Sequence, residues 1–327
     1  MIEANRLSVR IMDKNKAYFR ELTSYRKRIM EQAFIALEDD VGDGDITSLA
    51  ISSSEGRTEE AIIASREKGV LCGVLEAKEL LEAGGLEVSW EKEEGDSLKT
   101  GSVIARVRGD VKEILSRERT ALNYLQILSG IATLCNSFSE RFPGKVASLR
   151  KTHPGIAFSE KRAVLVGGAL THRLGLYDGF LIKDNHLAVV ARELFGEQKI
   201  GENEKIQAIE ESLKRVKKYR TEHGMRNLFI EVEVESEAQG VAVAKIHQKE
   251  GVPDMILLDN MSPDKVGKCV KAIRKVSGSN LLIEASGGIT SENLGLYVDA
   301  GVDVASMSFL TLNARPLDIG MKMVGYK

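Results

Sequence analysis

Apolar and polar positions along this chain follow two different rhythms, one after the other. Residues 21–38 set Ile29, Ala33 and Ala36 at helical spacing, which predicts a helix ending in the acidic, glycine-rich turn Asp39–Asp45. From about 57 to 112 the runs AIIAS, GVLCGV, LEVSW and SVIARVRG read as short strands, interrupted by one helical stretch, VLEAKELLEAGG. That mixture predicts a small α+β unit built on an antiparallel sheet. Residues 111–142 then read as a long helical stretch with a break near Gly130, and the domain change falls within it.

Beyond this point strand and helix alternate. GKVASLR, GFLIKD, LFIEVEV, MILLDN, NLLIEA and VDVASM read as strands, each followed by a helical run; the last run is a helix at the C-terminus. Helices are expected around 158–170, 203–223 and 237–249, after the cap Ser262-Pro263-Asp264, and from Thr290-Ser291. Short β-branched strands alternating with helices signal a parallel sheet. The expected fold is therefore α/β: an N-terminal α+β domain over 1–126 with a preceding helical arm, and a (β/α) barrel over 127–313. A terminal helix over 314–327 is expected to pack back toward the N-terminal domain. A flat doubly wound sheet is the alternative, but no GxGxxG opens a helix after a first strand, and the glycine-rich SGGI comes late.

Composition narrows the class. Hydrophobic residues make up 43% and charged residues 29% of the 327, the profile of an ordinary globular protein. No run approaches the roughly 18 apolar residues that read as a membrane span, and the charged N-terminus lacks a signal-peptide core. A cytoplasmic protein without membrane attachment is the expectation. A net charge of −2 argues against a nucleic-acid partner. Cys72, Cys135 and Cys269 form no CxxC pair and read as buried apolar residues rather than a disulfide or zinc set.

Charged and polar residues gather where the strands end. Arg150, Lys151 and Thr152 follow the first strand, and Lys183, Asp184 and Asn185 follow the second. Glu233 ends the third and Asp259-Asn260 the fourth; Ser286-Gly287-Gly288 follow the fifth, and Ser306 to Ser308 close the sixth. In a barrel all these ends open onto one face, where active sites are assembled. The glycine pair lets backbone N–H groups approach a ligand, and the helix behind it offers a positive end, an arrangement suited to phosphate. With Arg119 on the long helix and His172-Arg173 ending the run VLVGGALTHR, five or six cationic groups would surround one cavity. Such a cluster is stable only around polyanions. Glu233 and Asp259 supply the complementary chemistry, holding sugar hydroxyls or a hydrated Mg²⁺.

In their order, GDGDIT (42–47), ERTALN (118–123), LSGIAT (128–133), RKTxPG (150–155) and LIKDNH (181–186) form a recognisable set, completed by EVEVES (231–236), LLDNMSP (257–263), EASGGIT (284–290) and GVDV (301–304). As a set they resemble the quinolinate phosphoribosyltransferase family, over about residues 25–323. The resemblance implies a type II phosphoribosyltransferase barrel with a smaller N-terminal α+β sandwich domain, assembled as a homodimer or a larger homo-oligomer. The implied reaction joins quinolinate to phosphoribosyl pyrophosphate, giving nicotinate mononucleotide, pyrophosphate and CO₂, with Mg²⁺ required. Arg150, His172, Arg173 and Lys183 would hold the pyridine dicarboxylate, with Thr152 beside them. Arg119 would enter the pocket from a neighbouring subunit. Lys151 would stand at the pyrophosphate and reacting centre, Glu233 and Asp259 would hold ribose and metal, and Ser286, Gly287, Gly288 and Ser308 would cradle the 5′-phosphate.

The chain departs from the family pattern at three places. Ala169 and Thr171 replace a glycine and an asparagine in GGALTHR, and Met307–Asn313 replaces a stretch with a glycine near the phosphate. His153 stands inside RKTxPG, where it reads as a solvated loop histidine. A phosphoribosyltransferase for another aromatic carboxylate and a silent binder of a phosphorylated metabolite are the competing readings.

Overall fold

The computed structural model describes residues 23–51, 57–197 and 200–325. Calls on the N-terminal arm before Thr23 lie outside the described residues. In chain order the elements are α1 (Thr23–Val41), α2 (Ile46–Ile51), β1 (Thr58–Ser65), β2 (Gly69–Val70), α3 (Val74–Glu82), β3 (Glu87–Trp90), β4 (Ser97–Leu98), β5 (Val103–Asp110) and α4 (Val111–Arg141). There follow β6 (Val146–Ser148), α5 (Ala157–Val166), β7 (Phe180–Ile182), α6 (Asp184–Phe195), α7 (Glu202–Glu222), β8 (Ile230–Val234) and α8 (Glu237–Glu250). The chain closes with β9 (Met255–Asp259), α9 (Pro263–Ser277), β10 (Leu282–Ser286), α10 (Leu294–Asp299), β11 (Val304–Met307), α11 (Phe309–Leu312) and β12 (Ile319–Met323). They divide into two compact units.

The first unit holds the described residues up to Arg141, then Lys151–Ala169 and the chain from Leu310. Its antiparallel sheet runs β12-β1-β5-β3. Ile63, Ile104 and Val107 of the sheet bury against Leu81 of α3 and Ala121 and Leu125 of α4. The C-terminal helix expected over 314–327 is not found: β12 pairs antiparallel with β1, Ala61 opposite Met323 and Ser65 opposite Ile319. Ile319 and Met321 face in and Lys322 faces out, a period of two that the helix-forming Met and Lys disguised. The expected break in α4 is also absent, since the helix is continuous through Gly130. A Cβ there would lie 2.1 Å from the Arg315 carbonyl oxygen, so this glycine permits close approach rather than a bend.

The second unit comprises Phe142–Arg150 and Leu170–Phe309. Its parallel sheet has the order β6-β11-β10-β9-β8-β7. From β7 to β11 neighbours in sequence are neighbours in space, with no reversal, which excludes the doubly wound alternative. Leu170 adds a parallel bridge to Ala147 on the far side of β6. Ala147, Leu170, Phe229, Met255, Leu282 and Val304 form one apolar cluster, so the sheet is rolled and these residues close its floor. The run GGALTHR is not the end of a helix as expected. Helix α5 stops at Val166, because Gly168 takes φ +83° and Gly167 has no room for a Cβ beside Ala132 and Cys135.

Two aspartates tie the strand starts. Asp254, before β9, accepts from the Ile230 N–H of β8 at 2.8 Å and from Arg220 of α7 at 3.1 Å. Asp303, before β11, accepts from the Ile283 N–H of β10 at 2.8 Å and from Arg274 of α9. Lys145, half-buried, donates to the Val302 carbonyl at 2.9 Å.

Candidate active site

Counting by two from the apolar floor gives the lining of the rolled sheet. The layer above Phe229, Met255, Leu282, Val304 and Leu170 carries Glu231, Leu257, Glu284, Ser306 and His172. The next layer carries Glu233, Asp259, Ser286 and Ser308. Ladder pairing confirms the shared face: Glu233 lies opposite Leu257, Ser286 opposite Asp259 and Ser306 opposite Ser286. Glu233, Asp259, Ser286 and Ser306, singled out from sequence, thus share the inner face at the carboxyl end of the sheet.

Lys183 caps α6. Its backbone N–H donates to Nδ1 of His186 at 2.9 Å, which starts the helix and turns the Lys183 side chain toward β8. There its Nζ meets Glu233 Oε2 at 2.8 Å. Burial raises the Glu233 carboxyl above its ordinary value, with Lys183 pulling it down and Asp259 and Asp184 pushing it up. Asp259 is also raised, first by burial, then by Asp184 and Glu235, against an Asn260 hydrogen bond and Lys183. Carboxylates held high in this way favour a cation, so this donor set fits a hydrated Mg²⁺. A cavity of about 280 Å³ lies beside Glu233 on the side of α6 and α7, bordered by Asp184, Glu235 and Lys205 and by Leu187, Ala191 and Ala208; Asp259 does not line it.

Arginines form the opposite pole. Arg173 is 6% exposed and donates to the Gly179 carbonyl at 3.2 Å. Its pKa is lowered by burial and by Arg150, the signature of guanidinium groups gathered without enough anion. Arg150 has no ion-pair partner among the described residues.

His172 sits between these poles with φ +51°. Its Nε2 lies 3.0 Å from Glu231 Oε2 and 3.3 Å from Glu284 Oε2, and its Nδ1 accepts the Arg173 N–H at 2.7 Å. Burial opposes a charged ring, but Glu284 and Glu231 outweigh it and hold His172 above the usual histidine range. Burial and Glu284 raise Glu231 in turn. These three residues have the composition of a metal site. A metal-binding Nε2 must be bare, with the other ring nitrogen donating. In the neutral ring Nδ1 takes the Arg173 N–H and the proton sits on Nε2 between Glu231 and Glu284, so Nε2 is not bare. Both ring nitrogens are engaged, and His172 serves as the tie beneath Arg173.

The turn after β10 takes φ +98° at Gly287 and +63° at Gly288. A Cβ on Gly287 would come 2.2 Å from Asn260 Oδ1 and 2.9 Å from Asn260 N, which makes glycine obligatory. The helix behind it does not open at Thr290 as expected. It starts at Leu294 and is six residues long, while Asn293 fastens the turn through the Thr290 N–H and the Gly288 carbonyl. This strand end therefore presents a backbone turn and Ser286 rather than a helix end. Ser308, half-buried, follows β11. Thr171 is buried and donates to the His172 carbonyl at 3.1 Å, and Ala169 is 3% exposed. These two departures therefore support the chain locally.

Arg119, Lys151 and Thr152 belong to the other unit. Arg119 is exposed in the middle of α4 and Lys151 is exposed at the start of its loop, neither with an ion-pair partner among the described residues. Thr152 is half-buried beside Lys151. Sequence reasoning missed Glu231 and Glu284. The signal was present for the glutamates: each lies two residues before a strand-end residue already singled out, hence on the same face.

A rolled parallel sheet with this set at its carboxyl end defines an α/β barrel that handles phosphorylated, anionic ligands. The family profile described as "Quinolinate phosphoribosyl transferase, C-terminal domain" matches residues 131–322, and that of the N-terminal domain matches residues 45–129. The chain belongs to this family. It is 37% identical over 294 residues to the "Probable nicotinate-nucleotide pyrophosphorylase (carboxylating)" of Methanothermobacter thermautotrophicus, covering 88% of this chain and 96% of that protein. It is 35% identical to the Bacillus subtilis protein of the same name, covering 90% and 92%. The crystal structure of NadC from Streptococcus pyogenes superposes with a TM-score of 0.75 at 30% identity, covering 92% of this chain and 97% of that one. Among the described residues, no helix is long and apolar enough to cross a membrane.

Proposed function

We propose that this chain transfers the phosphoribosyl group of phosphoribosyl pyrophosphate to quinolinate and decarboxylates the adduct, giving nicotinate mononucleotide, pyrophosphate and CO₂. The observation that carries the reading is the two-pole lining. Arg150 and buried Arg173 form an anion-deficient cationic pole, and Lys183, Glu233 and Asp259 form a carboxylate pole a few residues away around the same rim. A dicarboxylate fits the first pole and a phosphorylated ribose the second.

The lone pair of the pyridine nitrogen forms the bond to C1′ as the C1′–oxygen bond to pyrophosphate breaks. Glu233 and Asp259 stabilise the positive sugar, and Lys151 meets the charge gathering on the departing pyrophosphate. Glu233 and Asp259 would hold a Mg²⁺ ion, which would supply positive charge against the phosphates. The adjacent carboxylate then leaves as CO₂, its bonding pair stays on the ring carbon next to N⁺, and a proton from solvent fills that carbon. The substrate supplies its own electron sink, so the protein's part is to orient and to place charge. Ser286, Gly287, Gly288 and Ser308 hold the 5′-phosphate. Arg119 reaches the pocket of a neighbouring subunit in a homo-oligomer. This is supported by its exposure on α4 near exposed Leu115, the kind of surface a partner covers.

The test offers quinolinate and nicotinate separately with phosphoribosyl pyrophosphate and Mg²⁺ and follows pyrophosphate. Release with quinolinate alone, abolished in Lys151→Ala, is expected. Release with nicotinate but not quinolinate would overturn the acceptor assignment.

A further inference from the structure

The loop carrying Lys151 is fastened at two points, one on each side of Thr152. On one side, the Thr311 hydroxyl donates to the Lys151 carbonyl at 2.7 Å. On the other, Glu160 of α5 takes both the backbone and the ring of His153. Its Oε2 accepts the His153 N–H at 3.0 Å, and its Oε1 lies 2.5 Å from His153 Nδ1. The Glu160 side chain is fully buried while that of His153 is 54% exposed. The two faces of this pair are thus unequal: a carboxylate sunk in the unit reaches out and spends both oxygens on one residue of a surface loop. Burial holds the Glu160 carboxyl above its ordinary value and the His153 bonds offset part of that, so the clamp gives a buried carboxylate its partner. The solvated loop histidine expected from sequence is instead the end of a latch.

We infer that Glu160, His153 and Thr311 are positioning residues for Lys151, fixing the backbone of the 150–155 loop so that the ammonium is held in one place during pyrophosphate departure. The geometry suits that task. Lys151 has a long, exposed side chain and no ion-pair partner among the described residues, so its direction depends on its own backbone. Fastening the carbonyl of Lys151 and the N–H of His153 fixes the peptide units on either side of Thr152, leaving only side-chain torsions to be ordered by the ligand. The substitution within RKTxPG therefore keeps the loop anchored through an imidazole. The inference rests on the function proposed above, which gives Lys151 its role.

The test uses the full-length enzyme and the variants Lys151→Ala, His153→Leu, His153→Asn and Thr311→Val. Asparagine retains a donor where Nδ1 stands; leucine does not. His153 is largely exposed, so His153→Leu is expected to fold and melt as the wild type does. For His153→Leu and Thr311→Val, kcat should fall about tenfold or more while KM for both substrates stays within about twofold, the pattern of an interaction used mainly in the transition state. His153→Asn should recover most of the loss. Wild-type turnover abolished by Lys151→Ala but unchanged by His153→Leu would overturn this inference and leave the functional reading standing. A loss in His153→Leu that asparagine does not restore, or that appears in KM rather than kcat, would overturn it as well. Absence of any wild-type turnover with quinolinate would overturn the functional reading and this inference together.

Discussion

The two ends of the rolled sheet carry similar amounts of charge and treat it in opposite ways. At the strand starts, Asp254 and Asp303 each hold a backbone N–H and an arginine, Lys145 is spent on a carbonyl, and the apolar floor lies just above. Each of these charges has a partner within the fold. At the strand ends, Arg150 has no ion-pair partner among the described residues, Arg173 is lowered by burial and by a like charge, and Glu233 and Asp259 are raised by burial. The lesson is that the presence of charge does not mark a site, since both ends have it. Charge left unbalanced by its own fold does, because only a ligand completes it.

Substitutions should split along this line. The largest effect on catalysis belongs to Glu233→Gln, which should lower kcat by about a hundredfold or more while the melting temperature stays level or rises. A melting temperature that falls with activity would place Glu233 with the structural charges. Asp303→Ala should do the reverse, lowering stability by about 2–3 kcal/mol in denaturant titration, with kcat of the folded fraction unchanged. It strands Arg274 and the Ile283 N–H.

Smaller, and specific in sign, is the pH effect of His172. Its folded pKa stands above the ordinary value of 6.5, so the stability it contributes is fully present below that value. It is lost as pH rises through the folded value. Melting temperatures from pH 6 to 9 should therefore decline less steeply in His172→Asn than in the wild type, and parallel slopes would contradict the coupling to Glu231 and Glu284. The smallest effect is expected at Arg215, paired with Glu193 and Glu211 in the open. Arg215→Ala should leave both the melting temperature and the activity where they are in the wild type.

Much of this division was legible in the sequence, because strand ends announce themselves. A β-branched run followed by a charged or glycine pair fixes both the end of the strand and, by the period of two, the face its neighbours share. That reasoning places Lys183, Glu233, Asp259 and the 286–288 turn without a structure. It does not reach the tie among His172, Glu231 and Glu284, whose members are far apart in the chain and meet only when the sheet rolls. Helix α6 escaped notice because it begins directly at the strand end, and its cap, the His186 ring on the Lys183 N–H, lies outside the usual Ser, Thr or Asp signals. The strand β12 was misread for lack of local signal, since its partner β1 lies at the other end of the chain. His153 shows the same limit at short range: Glu160 is seven residues away, but nothing in the spacing says that a buried carboxylate turns back to the loop.

The central claim, that the unbalanced end of the barrel completes itself around quinolinate and phosphoribosyl pyrophosphate, is tested most directly by a single-turnover experiment. It uses quinolinate labelled in its 2-carboxylate, with Mg²⁺, and counts CO₂ and pyrophosphate together. Equal amounts of the two, with no CO₂ when phosphoribosyl pyrophosphate is withheld, are predicted. Pyrophosphate release with the label retained on the ring product would contradict the account.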